Sequence, residues 1–318
     1  ADHEITRDDL ARIEDVATVG KVPPNREILE VIPHAYRLDG QDNIKDPLGM
    51  AGTRMEIQAN VVSALAPHLH NLQKSADLAK VAPRLIIPSA IASAKAVLNE
   101  SQMENGVAVI DMGGATTSVA VFEEGDLQYV GVVPLGGSNI TNDLAIGLKT
   151  DPEIAEKVKL SHAVAMIRKE HEGISLKHDK EVLTFDSNEI DEIVDARLEE
   201  IFEAVQKELK KAGRAGKLPS GVVLTGGTAN MKHMADYAKQ ALGLAARVGK
   251  PAGYGGVSDD AEKPEFAAAV GLMLADAEGA PVAAKGHGMH LGLSSKGAKD
   301  GAKKAGSFLS GFLKRFKL

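Results

Sequence analysis

Apolar positions along this 318-residue chain recur with two periods, near 3.6 and 2, and the period switches at Gly, Pro and Asn. Ile5–Val16 has helical spacing, with Thr6 as N-cap and Asp8 and Asp9 opposing the dipole in the first turn. Pro23, Pro24 and Asn25 interrupt the chain. Glu27–Asp39 then alternates as a strand, closed by Asp39-Gly40, and Thr53–Val62 is a second strand. Together these predict a small α/β unit over Ala1–Val62. Ala64–Lys80 reads as a helix and Arg84–Ile87 as a short strand. The alanines of Ser89–Asn99 predict a helix with a face small enough for close packing. Further helices are predicted over Asp151–Arg168 and Ser187–Lys211. In the second, Ile190, Ile193, Val194, Leu198, Ile201, Phe202, Val205 and Leu209 form one stripe. Gly221–Leu224 is a strand, and Pro264–Ala275 an Ala-rich helix containing Gly271. From Asp276 onward Gly, Ala, Lys and Ser dominate, the composition of a linker.

Two strand-to-glycine turns carry the candidate chemistry. Val107–Gly125 reads V-A-V-I-D-M-G-G-A-T-T-S-V-A-V-F-E-E-G, two apolar strands joined by a Gly-rich turn. Glycine leaves no Cβ in a ligand's way, and the Gly113-Gly114 amides can form an anion-binding concavity. Thr116 and Thr117 can donate to phosphate oxygens. Asp111 can hold magnesium directly or through water, since that ion takes oxygen ligands. The second turn lies in G-V-V-L-T-G-G-T-A-N-M, Gly221–Met231. There Gly226, Gly227 and Thr228 stand between a strand and an expected helix N-terminus. Neither a G-x-x-x-x-G-K-[ST] P-loop nor a strand-borne G-x-G-x-x-G is present.

Composition removes other classes. Aromatics are 3% with no Trp, which argues against base stacking and a nucleic-acid partner. With no Cys there are no disulfides and no thiolate metal sites. No run of ~18 apolar residues predicts a membrane span. The net charge of −7 divides unevenly: Lys285–Leu318 holds eight Lys/Arg and one Asp, a basic tail on an acidic body. At 100° per residue from Gly306, Phe308, Leu309, Phe312, Leu313 and Phe316 share one arc, with Ser310, Lys314, Arg315 and Lys317 opposite. That is the pattern of an interfacial membrane helix. Gly297, Gly301, Gly306 and Gly311 each cost the helix ~1 kcal/mol relative to Ala, so it is predicted to fold on anionic lipid rather than in water. His287, Met289 and His290 read as linker rather than as a metal site.

Taken together, Val107–Phe122 and Leu224–Asn230 resemble the second phosphate motif and the adenosine motif of the actin/Hsp70/sugar-kinase superfamily. The Ala-rich segments Ser89–Asn99 and Ala267–Leu274 resemble its two connecting helices. Within it the chain resembles the bacterial cell-division family FtsA. That likeness is carried by I-T-R-D-D-L (Ile5–Leu10), R-E-I-L-E-V-I-P (Arg26–Pro33) and D-G-Q-D-N-I-K-D-P-L-G-M-A-G (Asp39–Gly52). Its most specific part is V-V-P-L-G-G-S-N-I-T-N-D-L-A-I-G-L (Val132–Leu148).

The resemblance implies an α/β fold: actin-like, ribonuclease-H-like domains flanking a nucleotide cleft, with a small α/β insertion domain and a C-terminal amphipathic helix. It places the insertion domain at 1–72 and parts of the first large domain at 73–104 and 264–275. The domain with both nucleotide motifs falls at 105–148 and 220–263, and a smaller helical domain at 149–219. A linker at 276–305 and the membrane helix at 306–318 complete the division. Nothing resembling the first phosphate motif precedes Ala1, so the first domain is expected to be incomplete. The implied cofactors are ATP and Mg, with Lys159 facing the adenosine; Glu153 and Glu156 on the same helix read as surface charges. Ala115 replaces a common third glycine and Ser118 stands where Asp is frequent, so ATP is expected to bind weakly or not at all. No catalytic base is assigned, and at most a weak ATPase is expected. The implied role is a filament-forming adaptor that anchors FtsZ, through its C-terminal tail, to the cytoplasmic face of the inner membrane at the division site. Its partners would be FtsZ, other copies of itself, anionic lipid and other divisome proteins. The alternatives are a chaperone or sugar kinase of the same superfamily, or an MreB-like shape filament.

Overall fold

A computed structural model describes residues 3–83, 86–178, 181–256 and 259–278. The first unit starts with strand β1 (His3–Glu4) and helix α1 (Arg7–Thr18). Asp9 N donates to Thr6 Oγ1 at 3.3 Å and Thr6 N to Asp9 Oδ2 at 3.0 Å, a complete capping box. The Thr6 hydroxyl above all holds the Asp9 carboxyl down at about 2. Strands β2 (Arg26–Leu38), β3 (Gln41–Ile44), β4 (Ala51–Gly52) and β5 (Met55–Leu65) follow. An antiparallel sheet runs β3-β2-β5, and β1 pairs with β4. Leu10 of α1 joins Ile5, Tyr36, Leu38 and Ile44 in the unit's own core. Helix α2 (Ala66–Leu78) buries only Leu69, and residue 72, the expected limit of the insertion domain, falls inside it.

The larger body opens with helices α3 (Ser89–Val97) and α4 (Glu100–Asn105), then strands β6 (Val107–Met112), β7 (Thr117–Glu123) and β8 (Asp126–Val133). Helices α5 (Gly137–Gly147) and α6 (Pro152–His162), the hairpin β9 (Gly173–His178) with β10 (Glu181–Asp186), and helix α7 (Ser187–Lys211) come next. Strand β11 (Val222–Thr225), helix α8 (Met234–Leu242), strand β12 (Ala246–Val248) and helix α9 (Ala267–Glu278) complete it. One five-stranded sheet has the order β12-β11-β6-β7-β8, parallel across the first three strands and antiparallel beyond.

Both faces of this sheet are covered, which is why β6 and β7 read as unbroken apolar runs rather than alternating ones. Ala108, Ile110, Met112, Val119 and Val121 face the helical side built by α5 to α8. Val107, Val109, Ala120 and Phe122 face α3 and α9, together with Ile32 and Val62 of the first unit. Of the predicted α7 stripe, seven residues are buried and Ile193 is half-buried against the same core. Helix α3 crosses α9 so closely that a Cβ on Gly271 would overlap the Ala92 carbonyl oxygen.

Several expectations are corrected. The helix from Asp151 stops at His162, not Arg168, because the chain turns to meet the segment before α8. Val164 bridges Lys232, and Ala165 N donates to Lys232 O at 2.9 Å. Ile86 and Ile87 belong to no strand, while Arg84 and Leu85 lie outside the described residues. The segment from Pro264 begins as a 3-10 turn, and α9 runs past Asp276 to Glu278. The predicted amphipathic helix 306–318 and its linker from 279 lie outside the described residues.

Candidate functional site

The turn between β6 and β7 is closed by Gly113 N donating to Thr116 O at 2.9 Å. Gly114, Ala115 and Thr116 are exposed at its tip. Asp111, at the end of β6, is 9% exposed and accepts from Thr225 Oγ1 at 3.2 Å. The second turn lies directly beside it. Gly226 follows β11 with φ 85°, a left-handed conformation that favours glycine. A Cβ at Gly226 would overlap the Met112 carbonyl and come within 2.8 Å of Asp111 Oδ1. Thr228 Oγ1 donates to Gly113 O at 3.1 Å, linking the two turns. The two predicted glycine turns therefore meet around one carboxylate.

A third glycine pair joins them. Gly136 and Gly137 form the N-terminus of α5, where Gly137 N donates to Gly113 O at 2.9 Å and Ser138 N to Gly114 O at 2.8 Å. Gly136 is extended, yet a Cβ on it would lie 2.5 Å from Gly114 O and 2.6 Å from Gly113 O. One on Gly137 would lie 2.5 Å from Thr228 Oγ1. A strand followed by Gly-Gly, the feature common to the other two turns, is also present in Val130–Ile140. It served only as a family likeness, and its place in the site went unread.

Lys159, on α6, reaches this junction. Its ammonium is 2.7 Å from Glu156 Oε2 and donates to Thr141 Oγ1 at 2.8 Å and Gly137 O at 3.2 Å. The Lys159 side chain is 12% exposed. Glu156 also accepts from the Thr141 hydroxyl. Desolvation raises the Glu156 carboxyl, but its hydrogen bonds with Lys159 and Thr141 outweigh this and hold it below its ordinary value. Glu156 is thus a surface charge with a specific partner, its side chain 41% exposed and its carboxylate bound to Lys159 and Thr141. Glu153 is exposed and paired with Lys157 at 2.9 Å.

Thr117 is corrected. It is fully buried and donates to Leu135 O at 2.8 Å, so its hydroxyl braces the turn from behind and Thr116 carries the exposed one. Ser118 is buried, accepting from Ser89 Oγ at 3.4 Å. Gly227 opens a four-residue 3-10 turn, and the next α-helix begins only at Met234. The helix N-terminus at this site is that of α5, and two of its amides are spent on the Gly113 and Gly114 carbonyls.

The donor set suits a phosphate with its magnesium. Magnesium is commonly held by one or two carboxylates together with phosphate oxygens and water. Asp111 supplies one carboxylate; among the described residues no cluster of three or more His or acidic side chains forms an all-protein cage. Gly114, Ala115 and Thr116 present backbone and one hydroxyl to an anion, and Lys159 is the nearby cation.

The sequence model described as "Cell division protein FtsA" matches residues 108–271, and that described as "SHS2 domain inserted in FTSA" matches residues 1–63. The chain belongs to the FtsA family. It is 38% identical to Bacillus subtilis cell division protein FtsA over 274 residues, covering 85% of this chain and 61% of that one. It is 33% identical to FtsA of Neisseria meningitidis, covering 86% of this chain and 67% of that one. The Pseudomonas aeruginosa protein is 32% identical, with coverage of 86% and 66%. This FtsA-family chain thus spans about two thirds of the length of the curated relatives it matches. Its actin-like fold is shared with MreB5 of Spiroplasma citri bound to ADP, at TM-score 0.55, 17% identity, and 67% and 66% coverage. A PilM-PilN type IV pilus biogenesis complex gives TM-score 0.59 at 17% identity, with 86% and 74% coverage. The FtsA model spans all three glycine turns, Asp111 and Lys159.

Proposed function

We propose that this chain is an actin-like adaptor of cell division that self-associates into filaments and holds FtsZ filaments, through the FtsZ C-terminal tail, at the cytoplasmic face of the inner membrane. The observation that carries this reading is the joining, in one chain, of an FtsA-family body to a basic amphipathic segment, Phe308–Leu318. Residues 149–219 would receive the FtsZ tail. Phe308, Leu309, Phe312, Leu313 and Phe316 would enter the lipid, with Lys314, Arg315 and Lys317 on anionic headgroups. No helix among the described residues is long and apolar enough to cross a membrane, in keeping with a peripheral attachment.

ATP with magnesium would sit at the three-turn junction and supply a charged ligand that holds its walls together. Asp111 would orient the magnesium, Gly114, Ala115 and Thr116 would face the phosphates, and Gly226, Gly227, Thr228 and Lys159 would line the nucleoside side. Ala115 brings a methyl to the tip, and Ser118 offers no second carboxylate, so binding is weak and hydrolysis at most slow. The site then acts as a sensor of nucleotide rather than as an efficient catalyst.

Co-sedimentation tests the reading. With anionic vesicles and FtsZ, this chain pellets FtsZ only when vesicles and chain are both present. The double substitution Phe312→Glu and Phe316→Glu releases it. Pelleting of the double variant with vesicles, or recruitment of FtsZ to vesicles without the chain, refutes the tether.

A further inference from the structure

Given the nucleotide reading of the three-turn junction, we infer that it admits a nucleotide only as its divalent-metal complex, and that Asp111 is the residue that turns the metal-free polyphosphate away. A bound polyphosphate is neutralised by cationic side chains, by amides at a helix start, or by a metal that it brings. The first two are already committed here.

The charged side chains bonded into the junction are three carboxylates and one ammonium. Asp111 accepts from Thr225 Oγ1 at 3.2 Å. Glu265 accepts from Asn230 Nδ2 at 2.7 Å, and it follows Pro264, whose carbonyl accepts from Gly226 N at 2.9 Å. The third carboxylate, Glu156, holds the ammonium of Lys159. A lysine ammonium carries three hydrogens. Three acceptors surround this one: Glu156 Oε2 at 2.7 Å, Thr141 Oγ1 at 2.8 Å and Gly137 O at 3.2 Å. Its charge and its donors are both spent inside the protein.

Helix α5 offers no relief. Gly136 N donates to Asn139 Oδ1 at 2.9 Å, Gly137 N to Gly113 O at 2.9 Å, Ser138 N to Gly114 O at 2.8 Å and Asn139 N to Gly136 O at 3.0 Å. The amides that make a helix start an anion site are therefore occupied. What faces an incoming phosphate is the exposed tip Gly114–Thr116, with neutral donors alone. Asp111 is 9% exposed, so water screens its charge poorly. A bare polyphosphate meets net repulsion at this carboxylate, and a divalent ion on the phosphates reverses the sign. Replacing Asp111 should then strengthen binding of the metal-free anion, the opposite of what loss of a ligand residue ordinarily does.

Ligand-observed proton NMR reads weak binding through the broadening of ATP base lines by the full chain. ATP is offered with excess magnesium and, separately, with EDTA. The parent is expected to bind the magnesium complex about tenfold more tightly than the metal-free nucleotide. Asp111→Asn keeps an acceptor for Thr225 and is expected to bind metal-free ATP about tenfold more tightly than the parent does. Glu265→Gln, at an exposed and better screened position where folding is not at stake, should move the same way by about twofold. Glu153→Gln, which removes an exposed charge paired with Lys157 away from the turns, should leave binding in EDTA unchanged. The inference is overturned if the parent binds both forms equally, if neither Asp111→Asn nor Glu265→Gln gains in EDTA, or if Glu153→Gln gains as much as they do. ATP lines that neither parent nor variants broaden in either buffer overturn the nucleotide reading itself, and this selectivity with it.

Discussion

Replacing Gly136 by alanine adds one methyl to a residue whose extended backbone any amino acid can adopt. Space alone decides the outcome. The new Cβ would stand 2.5 Å from Gly114 O and 2.6 Å from Gly113 O, both backbone atoms of a hydrogen-bonded turn. Relief requires the β6–β7 turn to move off the start of α5. That motion breaks the Gly137 N to Gly113 O and Ser138 N to Gly114 O bonds, worth about 1 kcal/mol each. Overpacking of this kind costs about 1–3 kcal/mol by itself, and the two effects overlap. The expected loss is about 3 kcal/mol, read as a lower urea midpoint at unchanged m-value. Gly227→Ala is the matched control, because a Cβ there meets nothing within 4 Å and φ is not left-handed; its effect should stay within about 0.5 kcal/mol. A loss below about 1 kcal/mol for Gly136→Ala, or equal losses for both, would refute the claim that this contact locks the junction.

Other consequences can be measured. Isothermal calorimetry with ATP and magnesium should show no micromolar binding to the chain, and Ala115→Gly should strengthen whatever binding exists; a micromolar constant for the parent contradicts the crowding assigned to Ala115. Desolvation raises the Glu30 carboxyl from its usual 4.5 to about 7. Its folded form therefore holds a proton that the unfolded chain has released. This stabilises the fold below about pH 4.5, and the benefit is lost as pH rises through about 7, a change of at most roughly 3 kcal/mol that partial exposure reduces. Glu30→Gln should flatten that decline in denaturation midpoints between pH 5 and 8, and an unchanged slope refutes it. Glu156→Gln weakens the partner that holds Lys159 in its present place; it should shift the Lys159 ammonium signal in NMR, whereas Glu153→Gln should not.

The elements legible in the sequence were those whose faces are uniform. The α7 stripe fills one side of a long helix without interruption, and β6 and β7 are apolar throughout because layers cover both of their faces. Thr6 with Asp9 marks the start of α1 through local chemistry alone. Helix α5 escaped because it opens with two glycines and carries Asn139 and Asn142, residues of poor helix propensity; tertiary contacts at Gly136 and Gly137 fix it in place. The hairpin β9–β10 escaped because only part of each strand packs inward, leaving Val182 65% exposed. For the site, residue types at the turns were informative, but the direction of a hydroxyl was not. Thr116 and Thr117 are neighbours with opposite fates, one at the exposed tip and one bonded to Leu135, and only the strand register separates them.

The crossing of α3 and α9 restricts which motions the body can make. With Gly271 set directly against the Ala92 carbonyl, the helix axes have no slack in the direction that would bring them closer. Rocking about that point would drive backbone into backbone on one side of the contact. Sliding would bring a residue with a Cβ to the place of Gly271, and a Cβ there overlaps the Ala92 carbonyl. The crossing is therefore a fixed point, and α3 and α9 move together as one rigid pair. Because α3 also packs on β6 and β7, a displacement of that sheet is passed to both helices at once.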